Sequence, residues 1–206
     1  MRRARGDSGQ AFPVYIAVVA GLLFLAFAYF AVGQAASTRN GAQTAADAAA
    51  LAAAQDARDQ LREGWLEVIL DTERWNSFLR GTLYDSSSAC ERARVFAVRN
   101  EAELSGSGCV PLSGGGEGFH VTVRTTGSEP RHARASAEAV IEPLCTYEQQ
   151  EPTESPTPDP PSTGDPEEAE SGPILGLICD GRPWEIDPED PTLPDAADLF
   201  TVRLTE

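Results

Sequence analysis

The side chains with the most varied chemistry in this sequence are four cysteines, Cys90, Cys109, Cys145 and Cys179. A thiol can oxidise to a disulfide, and a thiolate can bind a metal ion such as zinc. Zinc sites usually draw on closely spaced cysteine or histidine pairs, whereas this chain has no Cys-x-x-Cys motif and only two histidines, His120 and His132. We therefore expect disulfides, and neither a bound metal nor another cofactor.

The even number of cysteines predicts two disulfides if this part of the chain lies in an oxidising compartment, and four cysteines allow three connectivities. The favoured pairing joins Cys90 to Cys109, which would close a predicted helix onto the first predicted strand. It also joins Cys145 to Cys179, which would tie together the two ends of an acidic loop. The other two connectivities stay open at this point.

The sequence contains no recognisable catalytic motif. Neither histidine lies near a serine or cysteine nucleophile signature. The acidic residues fall mostly in a low-complexity linker or on predicted helical faces, where solvated charge is the usual explanation. The chain has 32 acidic and 16 basic residues, a formal net charge of −16, and such a surface disfavours nucleic acid and anionic lipid headgroups as partners. We expect a protein that is not an enzyme.

The element that must position these residues is a long N-terminal helix. After a tip of residues 1–10, an uncharged apolar segment runs from residue 11 to residue 33. At about 1.5 Å per residue, this segment is long enough to cross a hydrocarbon core about 30 Å thick. Three arginines precede it and only Arg39 follows closely, so the positive-inside rule predicts a membrane protein with a cytoplasmic N-terminus and an extracytoplasmic C-terminal domain. A cleaved signal peptide is the alternative, but its apolar core would be only about 7 to 15 residues long.

The helical pattern continues beyond the apolar segment. Residues 34–63 are predicted to form an alanine-rich stalk, because alanine is the strongest helix former. Small side chains let helices approach closely, so the alanine surface is predicted to pack against another element. It could contact helices of other subunits or the chain's own outer domain, and both interpretations stay open. The alanines with the predicted packing role are Ala46, Ala49 and Ala53.

The tip, the apolar segment and the alanine run together resemble the N-terminal module of TadE/TadG-like proteins of the tight-adherence (Flp) pilus system. The resemblance is carried by RGDSGQA before the apolar segment and by NGAQTAADAAALAAA, residues 40–54, after it. The polar and leucine positions of the second motif are four residues apart and share one helical face. The matching positions are Arg5, Gly9, Gln10, Ala11, Gln43, Asp47 and Leu51.

This resemblance implies a membrane-anchored subunit or assembly factor that contacts the bilayer and other pilus-system membrane subunits through its N-terminal helix. Related pilins are cut after a glycine and carry glutamate at the fifth mature position. Here that position would be Val14 after a cut at Gly9, or Ala11 after a cut at Gly6, so we favour an unprocessed protein. The alternative function is a membrane-tethered extracytoplasmic module that binds a component of the cell envelope.

The part of the chain beyond the stalk is predicted to be α+β and pilin-like, with helices first and a small antiparallel sheet later. Gly64 is the predicted C-terminal cap of the long helix, and residues 65–81 have apolar side chains at helical spacing. Ser88 and Glu91 form a predicted capping box at the start of the next helix. These helices are expected to cover one face of the sheet.

Strands are predicted where apolar residues alternate, as in residues 119–125 of the outer domain, residues 64–147. Residues 148–173 are rich in proline, glutamate, serine and threonine, which predicts a disordered acidic loop. The C-terminal segment, residues 174–206, ends in alternating apolar residues. We expect its last strand to return to the same sheet, which makes the loop an excursion from one domain.

Overall fold

A computed structural model describes residues 11–113, 116–127, 132–149, 173–187, 189 and 191–205. The fold is α+β, as predicted. Its helices are α1 (Ala11–Glu67), α2 (Thr72–Leu79), α3 (Ser86–Arg99) and α4 (Ala196–Leu199). Its strands are β1 (Ala102–Pro111), β2 (Glu117–Thr125), β3 (Arg134–Pro143), β4 (Cys145–Tyr147), β5 (Ile174–Cys179), β6 (Arg182–Ile186) and β7 (Phe200–Thr205).

Helix α1 is a single rod of 57 residues, about 85 Å long at 1.5 Å per residue. Its one proline, Pro13, lies in the first turn, where a missing backbone N–H leaves no helical hydrogen bond unmade. No other residue in the helix breaks the hydrogen-bond ladder, and alanine dominates its second half. The apolar segment and the alanine-rich segment are therefore one continuous element.

Four strands form an antiparallel sheet in the order β1-β2-β3-β7. Strand β7 pairs with β3, with Val202 opposite Ile141, so the C-terminal strand returns to the sheet as predicted. A second, three-stranded sheet has the order β4-β5-β6. The predicted disordered loop, residues 148–173, lies almost entirely outside the described residues.

The hydrophobic core lies where α1 and α3 pack on one face of the larger sheet. Phe119, Val121 and Val123 of β2 all point into it and are fully buried, which matches the alternation in the sequence. Trp65 of α1 and Trp75 of α2 meet edge to face with ring centroids 5.1 Å apart. Both rings are fully buried, so they anchor the end of α1 that is distant from the apolar segment.

Two predicted helix boundaries were wrong. Gly64 is not a cap, because α1 continues to Glu67 and the predicted helix over residues 65–81 is shortened to α2. Helix α3 begins earlier than the Ser88–Glu91 box predicts. Its N-cap is Asp85, whose side chain accepts a hydrogen bond from the backbone N–H of Ser87. Propensity rules place caps only approximately, since several neighbouring residues here could serve.

Candidate functional site

The first part of α1 is an apolar surface without contacts to the rest of the described structure. Phe24, Phe27 and Tyr29 are 72%, 74% and 83% exposed, and the other large apolar side chains from residue 12 to residue 32 are similarly open. A soluble protein rarely exposes so large a continuous apolar surface. In the described part of the chain, α1 is the one helix long and apolar enough to cross a membrane. Residues 12–33 are the uncharged apolar part of this candidate membrane span, and they are called the apolar segment below.

The second part of α1 presents alanines to the chain's own domain. The fully buried alanines of this surface, the alanine face, are Ala42, Ala45, Ala46, Ala49, Ala50, Ala53, Ala54 and Ala57. They pack against α3, β2 and β3, because a methyl group allows another backbone to approach closely. Of the two alternatives left open by the sequence, the structure contains packing of the alanine surface against the chain's own domain, which covers the helix from residue 42 onward. Ala46, Ala49 and Ala53 are core residues and are unavailable to other subunits in this fold.

The polar residues of the motif over residues 40–54 lie at the seam between α1 and the sheet. Gln43 donates from Nε2 to Asp47 Oδ1 at 2.8 Å and to the carbonyl oxygen of Ser136 on β3 at 3.3 Å. Leu51, half-buried, packs against the core on the same side of the helix. Because Gln43, Asp47 and Leu51 are four residues apart, they share one face of α1, and this face lies along the edge of the domain. The partner Ser136 could not be found by sequence reasoning, because it lies 93 residues away.

A second polar seam fastens α1 to the start of α3. Gln60 donates from Nε2 to Asp56 Oδ2 at 2.7 Å, and Gln60 Oε1 accepts from the backbone N–H of Asp85 at 2.7 Å. Ser88 Oγ also donates to Asp56 Oδ2, at 3.2 Å. These bonds hold the N-terminus of α3 against the C-terminal part of α1. Since α3 runs antiparallel to α1, its C-terminus lies toward the apolar segment.

Two disulfides fasten the domain, and they are the pairs favoured from the sequence. Cys90 of α3 is bonded to Cys109 of β1 with a Cα–Cα distance of 5.5 Å. Cys145 of β4 is bonded to Cys179 of β5 with a Cα–Cα distance of 4.0 Å. The second pair joins residues directly opposite in the small sheet. It closes the segment that contains the predicted acidic loop.

One tyrosine has a displaced pKa. Burial raises the pKa of Tyr84 to about 12, and the neighbouring charge of Glu117 adds to the increase. The Tyr84 hydroxyl donates to Glu117 Oε2 at 3.2 Å, which favours the protonated phenol. Its ring also contacts Phe119, with centroids 5.6 Å apart. Because a phenol held in this form is neither a nucleophile nor a base near neutral pH, we assign the pair a packing role.

The described part of the chain brings together no constellation that resembles an active site or a metal centre. Within the described residues, no group of three or more histidine, cysteine, aspartate or glutamate side chains could hold a metal ion. His120 lies within β2, whereas His132 lies before β3. A shallow open groove beside Arg80, Glu117 and Glu142 has no buried acid–base pair among its described lining residues.

Three of the predicted motif residues, Arg5, Gly9 and Gln10, lie outside the described residues, and Ala11 is the first residue of α1. Comparison with protein families finds a match between residues 9–56 and the family described as putative Flp pilus-assembly TadE/G-like. Comparisons with curated proteins and with solved structures find no match. The matched region includes the apolar segment and most of the alanine face, but neither sheet. The similarity to this family is therefore confined to residues 9–56, about the first quarter of the chain.

Proposed function

We propose that this protein is a non-enzymatic, single-pass membrane subunit or assembly factor of a tight-adherence (Flp) pilus system. The observation that carries the proposal is the division of α1 into two surfaces. Its alanine face is used internally, whereas the apolar segment is exposed and lies within the family match. The apolar segment is therefore the part of the matched region that is free to contact both lipid and other membrane subunits.

The proposed topology has the N-terminus in the cytoplasm and the domain outside. Three arginines precede the apolar segment, and both disulfides lie in the domain beyond it, which suits an oxidising compartment. Fusion of reporters after residue 206 tests this topology. We expect activity from a reporter that works outside the cytoplasm, and activity only from a cytoplasmic reporter would contradict it. Intact-mass measurement of the membrane protein tests whether the N-terminal tip is retained.

A segment swap tests the function itself. In cells lacking the protein, we would express a chain in which residues 12–33 are replaced by an unrelated apolar helix of equal length. If the apolar segment contacts other pilus subunits, pilus formation should fail although the swapped protein is still anchored and oxidised. The unaltered chain, expressed at the same level, is the control that should restore pili.

A site-specific crosslink adds direct evidence on partners. A photoreactive residue at Phe24 or Phe27, both widely exposed, should capture other membrane proteins of the pilus system. The same group at Arg182, exposed on β6, is the control for collisions of the domain. Normal pili with the swapped helix, together with crosslinks from Arg182 alone, would favour the tethered binding module instead.

A further inference from the structure

The larger sheet has a fixed orientation along α1. Gln43 contacts the carbonyl of Ser136, near the start of β3. Farther along α1, Arg62 donates from Nε to the carbonyl oxygen of Pro194 at 2.9 Å. A few residues after Pro194, the carbonyl oxygen of Leu199 accepts from the backbone N–H of Leu144, the residue that follows β3. Strand β3 therefore runs in the same direction as α1. The beginning of β3 faces the apolar segment, and so does the C-terminus of α3.

The distance from the membrane follows from the rise of each element. Gln43 is ten residues beyond Gly33, about 15 Å along the helix. Arg134 precedes Ser136 by two residues on β3, which places it about 7 Å closer to the apolar segment. Arg39 on α1 is about 9 Å from Gly33, at nearly the same level. Both arginines thus lie within about one Debye length of the lipid headgroup layer at physiological salt.

The charge at this end of the domain differs from the charge of the whole chain. Arg39, Arg99 and Arg134 are exposed, and none forms an ion pair with another residue of the described structure. The Arg99 guanidinium lies over the ring of Phe96, 5.2 Å from its centroid, and this contact leaves its charge uncompensated. The net charge of −16 therefore conceals a basic end next to the membrane.

Among the described residues, the acidic side chains at the same end are fewer than the arginines. Glu103 forms an ion pair with Arg124, which neutralises both. Glu101 is exposed and adds one negative charge opposite the three free arginines. Asp47 of the seam beside Gln43 adds a second negative charge at this end, whereas Asp56 and Asp85 of the other seam lie toward the far end of α1. The domain is thus polarised along the rod, with its positive end toward the apolar segment.

We propose that this basic end, defined by Arg39, Arg99 and Arg134, binds the headgroups of anionic phospholipids. The inference rests on the proposed membrane anchor and adds a lipid preference to it. Since α1 has no break between the apolar segment and the domain, contact is made by tilting the whole rod toward the β3 side. Each arginine near an anionic surface should increase the equilibrium constant for contact about fivefold. The chain's overall negative charge opposes binding anywhere else on the domain.

The test uses the full chain in nanodiscs, with a fluorescent probe on a cysteine placed at Thr126, an exposed residue just after β2. The discs contain a headgroup nitroxide lipid and either phosphatidylcholine alone or phosphatidylcholine with phosphatidylglycerol. We expect stronger quenching with phosphatidylglycerol, and loss of the difference in 1 M salt, where the Debye length is about 3 Å. A probe at Thr82, near the far polar seam, should respond equally in both discs.

A matched pair of triple variants gives the sequence dependence. Changing Arg39, Arg99 and Arg134 to glutamine should abolish the lipid-dependent quenching. The control variant changes three exposed arginines far from the basic end to glutamine, and it should retain the lipid-dependent quenching. These arginines are Arg74, Arg80 and Arg182. Equal quenching of the unaltered protein in the two discs, or equal loss in both variants, would overturn the inference. Failure to insert into discs at all would contradict the anchor instead, so the two proposals fail differently.

Discussion

The phenyl ring of Phe78 lies against the bare Cα of Gly64, where a methyl group added to the glycine would overlap the ring. Glycine is a poor helix former, yet this one lies inside α1, three residues before its end. Its presence is explained by close packing, because α2 returns across the helix at this point. The contact lets Phe78 pack against the core.

Substitution of Gly64 by alanine should therefore destabilise the domain. Overpacking costs about 1 to 3 kcal/mol, and alanine's better helix propensity offsets about 1 kcal/mol of it. Thermal unfolding in detergent, followed by circular dichroism, would report the change. Gly41→Ala is the matched control in the same helix, since nothing lies within 4 Å of its Cβ position, and it should be neutral or stabilising. A lower melting temperature that Phe78→Leu fails to rescue would contradict this explanation.

Enlarging the alanine face should weaken the folded monomer. Ala49→Leu keeps helix propensity but inserts three carbon atoms into a fully buried position between α1 and its neighbours. We expect a loss of about 1 to 3 kcal/mol in unfolding free energy, independent of protein concentration. Ala36→Leu, at an exposed position of the same helix, is the control. A defect that appears only in assembly, with normal stability, would instead place Ala49 at an interface between subunits.

The two disulfides should leave no free thiol in protein purified without reductant. Peptide mapping under non-reducing conditions should recover Cys90 with Cys109 and Cys145 with Cys179. The bridges close segments with sequence separations of 19 and 34, so chain entropy predicts that removal of either costs about 3 to 4 kcal/mol. Four alkylatable thiols would contradict the bridges, and another connectivity would contradict the pairing.

The Tyr84 phenol should ionise well above the ordinary range of a tyrosine, because burial raises its pKa to about 12. With its pKa raised to about 12, the folded state retains a proton that the unfolded state loses near pH 10. Stability should therefore fall between pH 10 and pH 12, by about 1 kcal/mol after allowing for solvent screening of this half-buried group. Ultraviolet titration of the phenols would show a late component that disappears in Tyr84→Phe. Glu117→Gln should lower the raised pKa of Tyr84 only in part, because burial is the larger cause of the increase.

Much of the architecture could be predicted from local sequence properties. The long helix follows from alanine content and the absence of interior proline, and the candidate membrane span follows from the length of an uncharged apolar run. The alternation of Phe119, Val121 and Val123 identified a strand with one buried face. The positions of the cysteines beside a helix and a strand, and at the two ends of the acidic loop, favoured the pairs that the structure contains. Each of these signals is carried by residue type and spacing within a short stretch.

The roles of individual residues depended on contacts between distant parts of the chain. The alanines from 42 to 57 suit packing against any partner, and only the placement of α3, β2 and β3 assigns them to the chain's own core. Gly64 has the sequence character of a helix end, but the ring of Phe78 gives it a packing role within α1. The same applies to charge. The sequence determines the total of −16, whereas the direction of β3 along α1 places Arg134 at about the same level along the helix as Arg39. Local propensity determined the elements, and tertiary packing decided which of their faces remained free.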